Sequence, residues 1–148
     1  VAGSPDPQIS WIMIVEEDTT APVLSIEGNK GEYSVDEQIS ISCSATDDLS
    51  GIATVDCPKI EGVAYEVQIG VNKFKATATD RAGHTAVQEI EFTVTVDFNS
   101  LAALTKSLVS NENIAESLSV KLQGAEGSAA IGNKEAMEGK LNAYMNQL

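Results

Sequence analysis

The stretch that decides the fold is TAVQEIEFTVTV, residues 85–96. Ala86, Ile90, Phe92, Val94 and Val96 fall on one side of an extended chain, with Val87, Glu89, Glu91, Thr93 and Thr95 on the other. Gln88 alone breaks the inner row. A period of two with one polar face predicts a half-buried β-strand. The period recurs upstream. In QISISCSAT (38–46), Ile39, Ile41, Cys43 and Ala45 oppose three serines; in KFKATAT (73–79), Phe74, Ala76 and Ala78 oppose lysines and threonines. Shorter apolar runs lie at 23–26, 52–57 and 63–69. They are separated by turn chemistry: GNKGE at 28–32, DDLSG at 47–51, CPKIEG at 57–62 and DRAGH at 80–84. Short strands with turns roughly every 8–12 residues predict a two-sheet antiparallel sandwich.

Composition narrows the chemistry. The 148 residues carry a net charge of −13, which argues against nucleic acid or an anionic membrane surface as the main partner, since both need a cationic face. One histidine (His84) and two cysteines are too few for a His-rich zinc site or a four-Cys zinc module. No nucleophile–base set is apparent, so no reaction is expected of this chain. No run approaches the roughly 20 apolar residues that span a bilayer. The opening VAGSPDPQ and the closing LNAYMNQL both read as cuts through a longer polypeptide.

Four motifs in order carry a resemblance: DTTAP at 18–22, ISCSATDDLSGI at 41–52, KATATDRAGHTA at 75–86 and FTVTV at 92–96. Over about residues 18–97 the chain resembles the bacterial immunoglobulin-like and hyalin-repeat modules of secreted proteins, with His84 where that family usually has asparagine. The resemblance implies an all-β immunoglobulin-like sandwich, secreted or at the cell surface.

Cys43 shares the inner face of its strand, and Cys57 is placed with Ala53 and Val55. The two could close a disulfide loop, for which chain entropy gives about 3 kcal/mol; the alternative is two small buried thiols. An acidic, secreted-type composition favours the bridge. In an immunoglobulin-like sandwich, Glu16, Glu17, Asp18, Asp47, Asp48 and Asp80 would gather at one end. Six carboxylates could make an oxygen-only calcium site that stiffens the joint to an N-terminal neighbour. The competing reading makes the aspartates caps of Asx-turns.

The period changes at Phe98. Phe98, Leu101, Ala102, Leu104, Thr105 and Leu108 follow helical spacing behind an Asp97 cap. Asn111 caps a second helix with the stripe Ile114, Ala115, Leu118, Leu122 and Ala125, expected to end at Gly124 and Gly127. A third begins after Gly132-Asn133 and presents Met137, Leu141, Tyr144 and Leu148. These make a small α-helical bundle. SLAALTKSLVSNENIAESLSVKLQGAE and GNKEAMEGKLNAYMNQL resemble part of the C-terminal helical module called FIMAH. Its hosts are secreted polysaccharide lyases, glycoside hydrolases and subtilisin-like peptidases.

The expected organisation is therefore a terminal strand or linker at 1–17, a sandwich at 18–97 and a helical module at 98–148. QISWIMIV (8–15) reads as a strand of a preceding domain or of another chain, with Trp11 either core or a sugar-stacking platform. The leading functional expectation is a non-catalytic spacer and docking region of a secreted, polysaccharide-degrading enzyme. A carbohydrate-binding module, using Trp11, Tyr33 and Tyr65, and an adhesin stalk are the alternatives.

Overall fold

The computed structural model describes residues 16–148, so the 8–15 strand and Trp11 lie outside the described residues. Alternation becomes strands as expected: β1 (Val23–Glu27), β2 (Glu32–Ser34), β3 (Gln38–Thr46), β4 (Ile52–Asp56), β5 (Ile60–Val63), β6 (Gly70–Asp80) and β7 (Thr85–Thr95). They form two packed sheets, ordered β1-β3-β5 and β2-β7-β6-β4. Every pair is antiparallel except β2 with β7. The inner rows of β3, β6 and β7 meet in one core, where Tyr33, Ile39, Ile41, Phe74, Phe92 and Val94 are almost wholly buried. Tyr33 and Phe92 stand edge to face with centroids 6.0 Å apart.

Three strand expectations change. The run at 63–69 is not a strand: β5 occupies 60–63, inside the expected turn, and a single 3-10 turn, Ala64–Glu66, follows. Its backbone is drawn sideways, because the Ala64 N–H donates to Glu37 O at 2.8 Å and the Tyr65 N–H to Val35 O at 3.0 Å. GNKGE holds the start of β2. There the chain leaves the first sheet for the second at Gly28, whose φ of +84° and whose Cβ position, overlapping the Ser40 carbonyl oxygen, admit only glycine. Ala53 and Val55 face solvent rather than the core, because β4 is an edge strand with a register shift between Ile52 and Thr54. Cys57 turns inward just after β4 ends, and the disulfide forms: Cys43 in the first sheet is joined to Cys57 at the edge of the second, Cα–Cα 5.7 Å.

The helices are α1 (Phe98–Leu108), α2 (Glu112–Ala130) and α3 (Lys134–Met145), packed together around Leu118, Leu122 and Tyr144. Both expected caps are present, and Asn133 supplies a third. Asp97 and Ser100 form a reciprocal capping box, and Asn111 and Asn133 accept backbone N–H bonds from the first turns of α2 and α3. α2 does not stop at Gly124 and Gly127 but runs on to Ala130. Gly124 is used for close approach instead, since the Lys140 stem packs against it and Lys140 Nζ donates to Gly124 O at 2.8 Å and Ser128 Oγ at 2.9 Å. The apolar stripes are also trimmed: Leu108, Ile114, Leu148 and, in the sandwich, Val96 are exposed. Leu104 of α1 packs against the sandwich core, while Phe98 and Leu101 pack against the helical one.

Candidate functional site

The turn sequences converge at one pole of the sandwich. β3 ends and β4 begins there, β6 turns into β7 there, and the chain reaches β1 from there. Asp18 lies at the centre. Its Oδ1 accepts the Thr20 N–H at 2.9 Å and the Thr20 hydroxyl at 2.8 Å; its Oδ2 accepts the Ser50 N–H at 3.2 Å. Asp47 accepts the Gly51 N–H at 2.7 Å and the Ser50 hydroxyl at 3.3 Å. Arg81 answers from the opposite loop, its N–H donating to Gly51 O at 3.0 Å and its Nη1 to Ser50 O at 3.2 Å. Asp80, 1% exposed, takes the His84 N–H at 2.9 Å on Oδ1 and lies 3.0 Å from His84 Nδ1 through Oδ2. Three separate loops are thus tied by carboxylates to backbone.

Asp18, Asp80 and His84 form a group whose ligand atoms lie within 4.8 Å of one another and could hold an ion. It contains two of the six carboxylates expected to converge. Asp47 is engaged within its own turn, Asp48 is exposed, and Glu16 and Glu17 line a groove of about 340 Å³ with Asp18 and the cationic Arg81. The donor set mixes two carboxylates with an imidazole, whereas calcium favours six to eight hard oxygens. Both buried carboxylates already accept backbone hydrogen bonds, the chemistry of Asx-turns.

The charges agree with that wiring. Hydrogen bonds from Ser50 and then Thr20 hold the Asp18 carboxyl far below the usual carboxylate range, against a smaller upward push from burial. Burial pushes Asp80 up, but the His84 N–H, the His84 ring and the Gly83 N–H together bring it below its ordinary value. Because both folded values are depressed, their contribution to stability is full above the unfolded carboxylate value of about 3.9 and is lost as pH falls through the folded values. Thermal melting between pH 7 and pH 2 is therefore expected to give a sandwich midpoint that holds to about pH 4 and then drops. Asp80→Asn should flatten that acid limb while lowering the midpoint at pH 7. An unchanged acid limb in the variant would remove Asp80 from the account.

Sequence reasoning missed His84, Arg81 and Ser50 as partners at this pole. The spacing of Asp80 and His84, four apart across a glycine-containing turn, was the available signal. Tyr33, one of the three aromatics considered for sugar stacking, is instead core: its hydroxyl donates to Gly28 O at 2.8 Å and accepts the Lys30 N–H at 2.9 Å. Tyr65 is partly exposed. A hollow of about 510 Å³ between α1 and α2 is crossed by a Lys106–Glu116 ion pair at 3.5 Å. Among the described residues, no helix is long and apolar enough to cross a membrane. Compared with known proteins, the chain matches no family model, no curated protein and no solved structure.

Proposed function

We propose that residues 18–97 are an immunoglobulin-like spacer and support module of a secreted multidomain polypeptide, with residues 98–148 a FIMAH-like docking piece behind it. The observation that carries this reading is the placement of the two chain connections. The chain comes in at the Asp18 pole, where loops 47–51 and 81–84 also lie, and leaves at the opposite pole, where β7 ends and α1 begins. The 11-residue β6 and β7 set the separation, about 35 Å at roughly 3.4 Å per residue. The Asp18 end of the sandwich is thereby held a fixed distance from the helices. The Asp18 contacts to the 47–51 loop make that junction stiff. The disulfide supports an oxidising compartment, and the motif resemblance points to a polysaccharide-degrading parent.

Two measurements test the proposal. The purified chain, assayed on polysaccharides and peptides, should give no turnover that survives repurification, and turnover that does would overturn the spacer role. In the second, the melting midpoint of the sandwich should be the same in millimolar calcium as in EDTA, because hydrogen bonds already organise the Asp18 pole. A midpoint that rises with calcium by more than about 4 °C, roughly 1 kcal/mol for a domain of this size, would assign the joint to an ion instead.

A further inference from the structure

Among the described residues, the one parallel strand pair lies across the path between the sandwich's two chain connections. β1 leads away from the Asp18 pole: Val23 stands opposite Thr46 and Glu27 opposite Ser42. At Gly28 the chain crosses to the other sheet and continues in the same direction as β2, paired parallel to β7 through Glu32–Thr93, Tyr33–Val94 and Ser34–Thr95. Hydrogen bonds extend the pair beyond the strand at both ends, from the Thr93 N–H to Gly31 O at 2.9 Å and from the Val35 N–H to Thr95 O at 3.0 Å. Asn29 Nδ2 adds a contact to Glu91 O at 3.2 Å, and the buried Tyr33 fastens its own turn through Gly28 and Lys30.

A pull on the chain at Asp18 draws β1 and β2 back toward the Asp18 pole, whereas a pull beyond Thr95 draws β7 the other way. Two parallel strands pulled in opposite directions slide along each other. Their hydrogen bonds lie across the force and must fail together, rather than opening one at a time as at the end of a hairpin. The geometry points to a tension-bearing function: the β2–β7 pair is the clamp that keeps the sandwich folded when force is transmitted through residues 18 and 97. This deepens the spacer reading, on which its biological use rests; the mechanical property belongs to the fold itself. The helices lie in series beyond the clamp, with no covalent tie, and should yield first. The disulfide withholds the segment between Cys43 and Cys57 from extension.

Single-molecule stretching of the full chain between handles at its two ends tests this. The unmodified protein should lose its helices at low force and then its sandwich in one abrupt step at distinctly higher force. Reduction should lengthen that step by about 45 Å, the extended reach of the 14-residue separation less the 5.7 Å already spanned. Thr93→Pro deletes the donor to Gly31 and Val35→Pro the donor to Thr95. Each should raise the sandwich unfolding rate at fixed force by about tenfold, the loss of one hydrogen bond shared by the rupturing set. Ile60→Ala in β5, off the force path, should lower equilibrium stability while changing that rate by less than about twofold. If the proline variants do not fold, the unmodified traces still decide. A sandwich that opens strand by strand, at forces no higher than the helices, overturns the clamp, as does an Ile60→Ala effect equal to that of the prolines. Enzymatic turnover would remove the spacer role and leave the force result standing; a weak sandwich would remove the clamp and leave the spacer.

Discussion

Replacing Cys43 and Cys57 together by alanine, or reducing their bridge, is expected to lower the stability of the sandwich by about 3 kcal/mol. The closed loop holds all of β4 and the 47–51 connection that leads into it. β4 is an edge strand with almost every side chain exposed, so little apolar burial holds it in place. Without the bridge, the unfolded chain regains the freedom of that loop and the folded chain loses its disulfide tie between the two sheets. For a domain of about 80 residues the loss corresponds to a fall of roughly 10–20 °C in melting midpoint. Melting with and without reductant reads it directly. A midpoint that moves by less than about 3 °C would show the bridge to be dispensable and the edge strand to be held by its ladder with β6 alone.

The second large effect belongs to the helices. Leu122→Ala should cost about 2–5 kcal/mol, the range for emptying a buried leucine site. Leu118 and Leu122 are both fully buried and make the centre of a cluster completed by Tyr144. Around fifty residues bury too small a share of their surface to tolerate such a hole. The Tyr144 hydroxyl, 2.8 Å from Thr105 Oγ1, ties α3 to α1 and would be exposed to water once the cluster loosens. Expected at 25 °C is a loss of most of the helical circular dichroism, while the sandwich retains its own melting transition. Leu104 is the helical side chain packed on the sandwich core, so little instability should pass across. Joint collapse of both transitions would show instead that the two pieces fold as one unit.

Much of this was legible in the sequence because the signals are local. The alternation around Ile39 and Ile41, and around Phe92 and Val94, depends only on the pleat of a strand with one buried face. Asp97, Asn111 and Asn133 mark helix starts because their side chains satisfy backbone N–H groups a few residues on. The misreadings occur where a distant partner overrules the local pattern. Gly124 looks like a helix stop until Lys140 lies across it. The run after Val63 looks extended until the backbone at Val35 and Glu37 draws it into a turn. Tyr33 looks like a surface aromatic beside a glycine-rich turn until the change of sheet at Gly28 carries it into the core. At the Asp18 pole the aspartates were visible and their turn chemistry with them. Ser50 and Arg81 were not, because they reach Asp18 and Gly51 only after separate loops have been brought to one end; His84 meets Asp80 inside its own turn, where the four-residue spacing was the signal.

The amino-acid sequence by itself determined two sheets and then three helices, the helix caps, and the turns at 47–51 and 80–84, since periodicity and turn geometry act over a few residues, while it left the pairing of Cys43 with Cys57 open. The tertiary structure alone decided that β2 lies parallel to β7, that six scattered carboxylates reduce to a pair beside one histidine, and that the chain enters and leaves at opposite poles. Those outcomes depend on which strands become neighbours, a choice made by the burial of a shared core and not by any stretch of the chain taken alone.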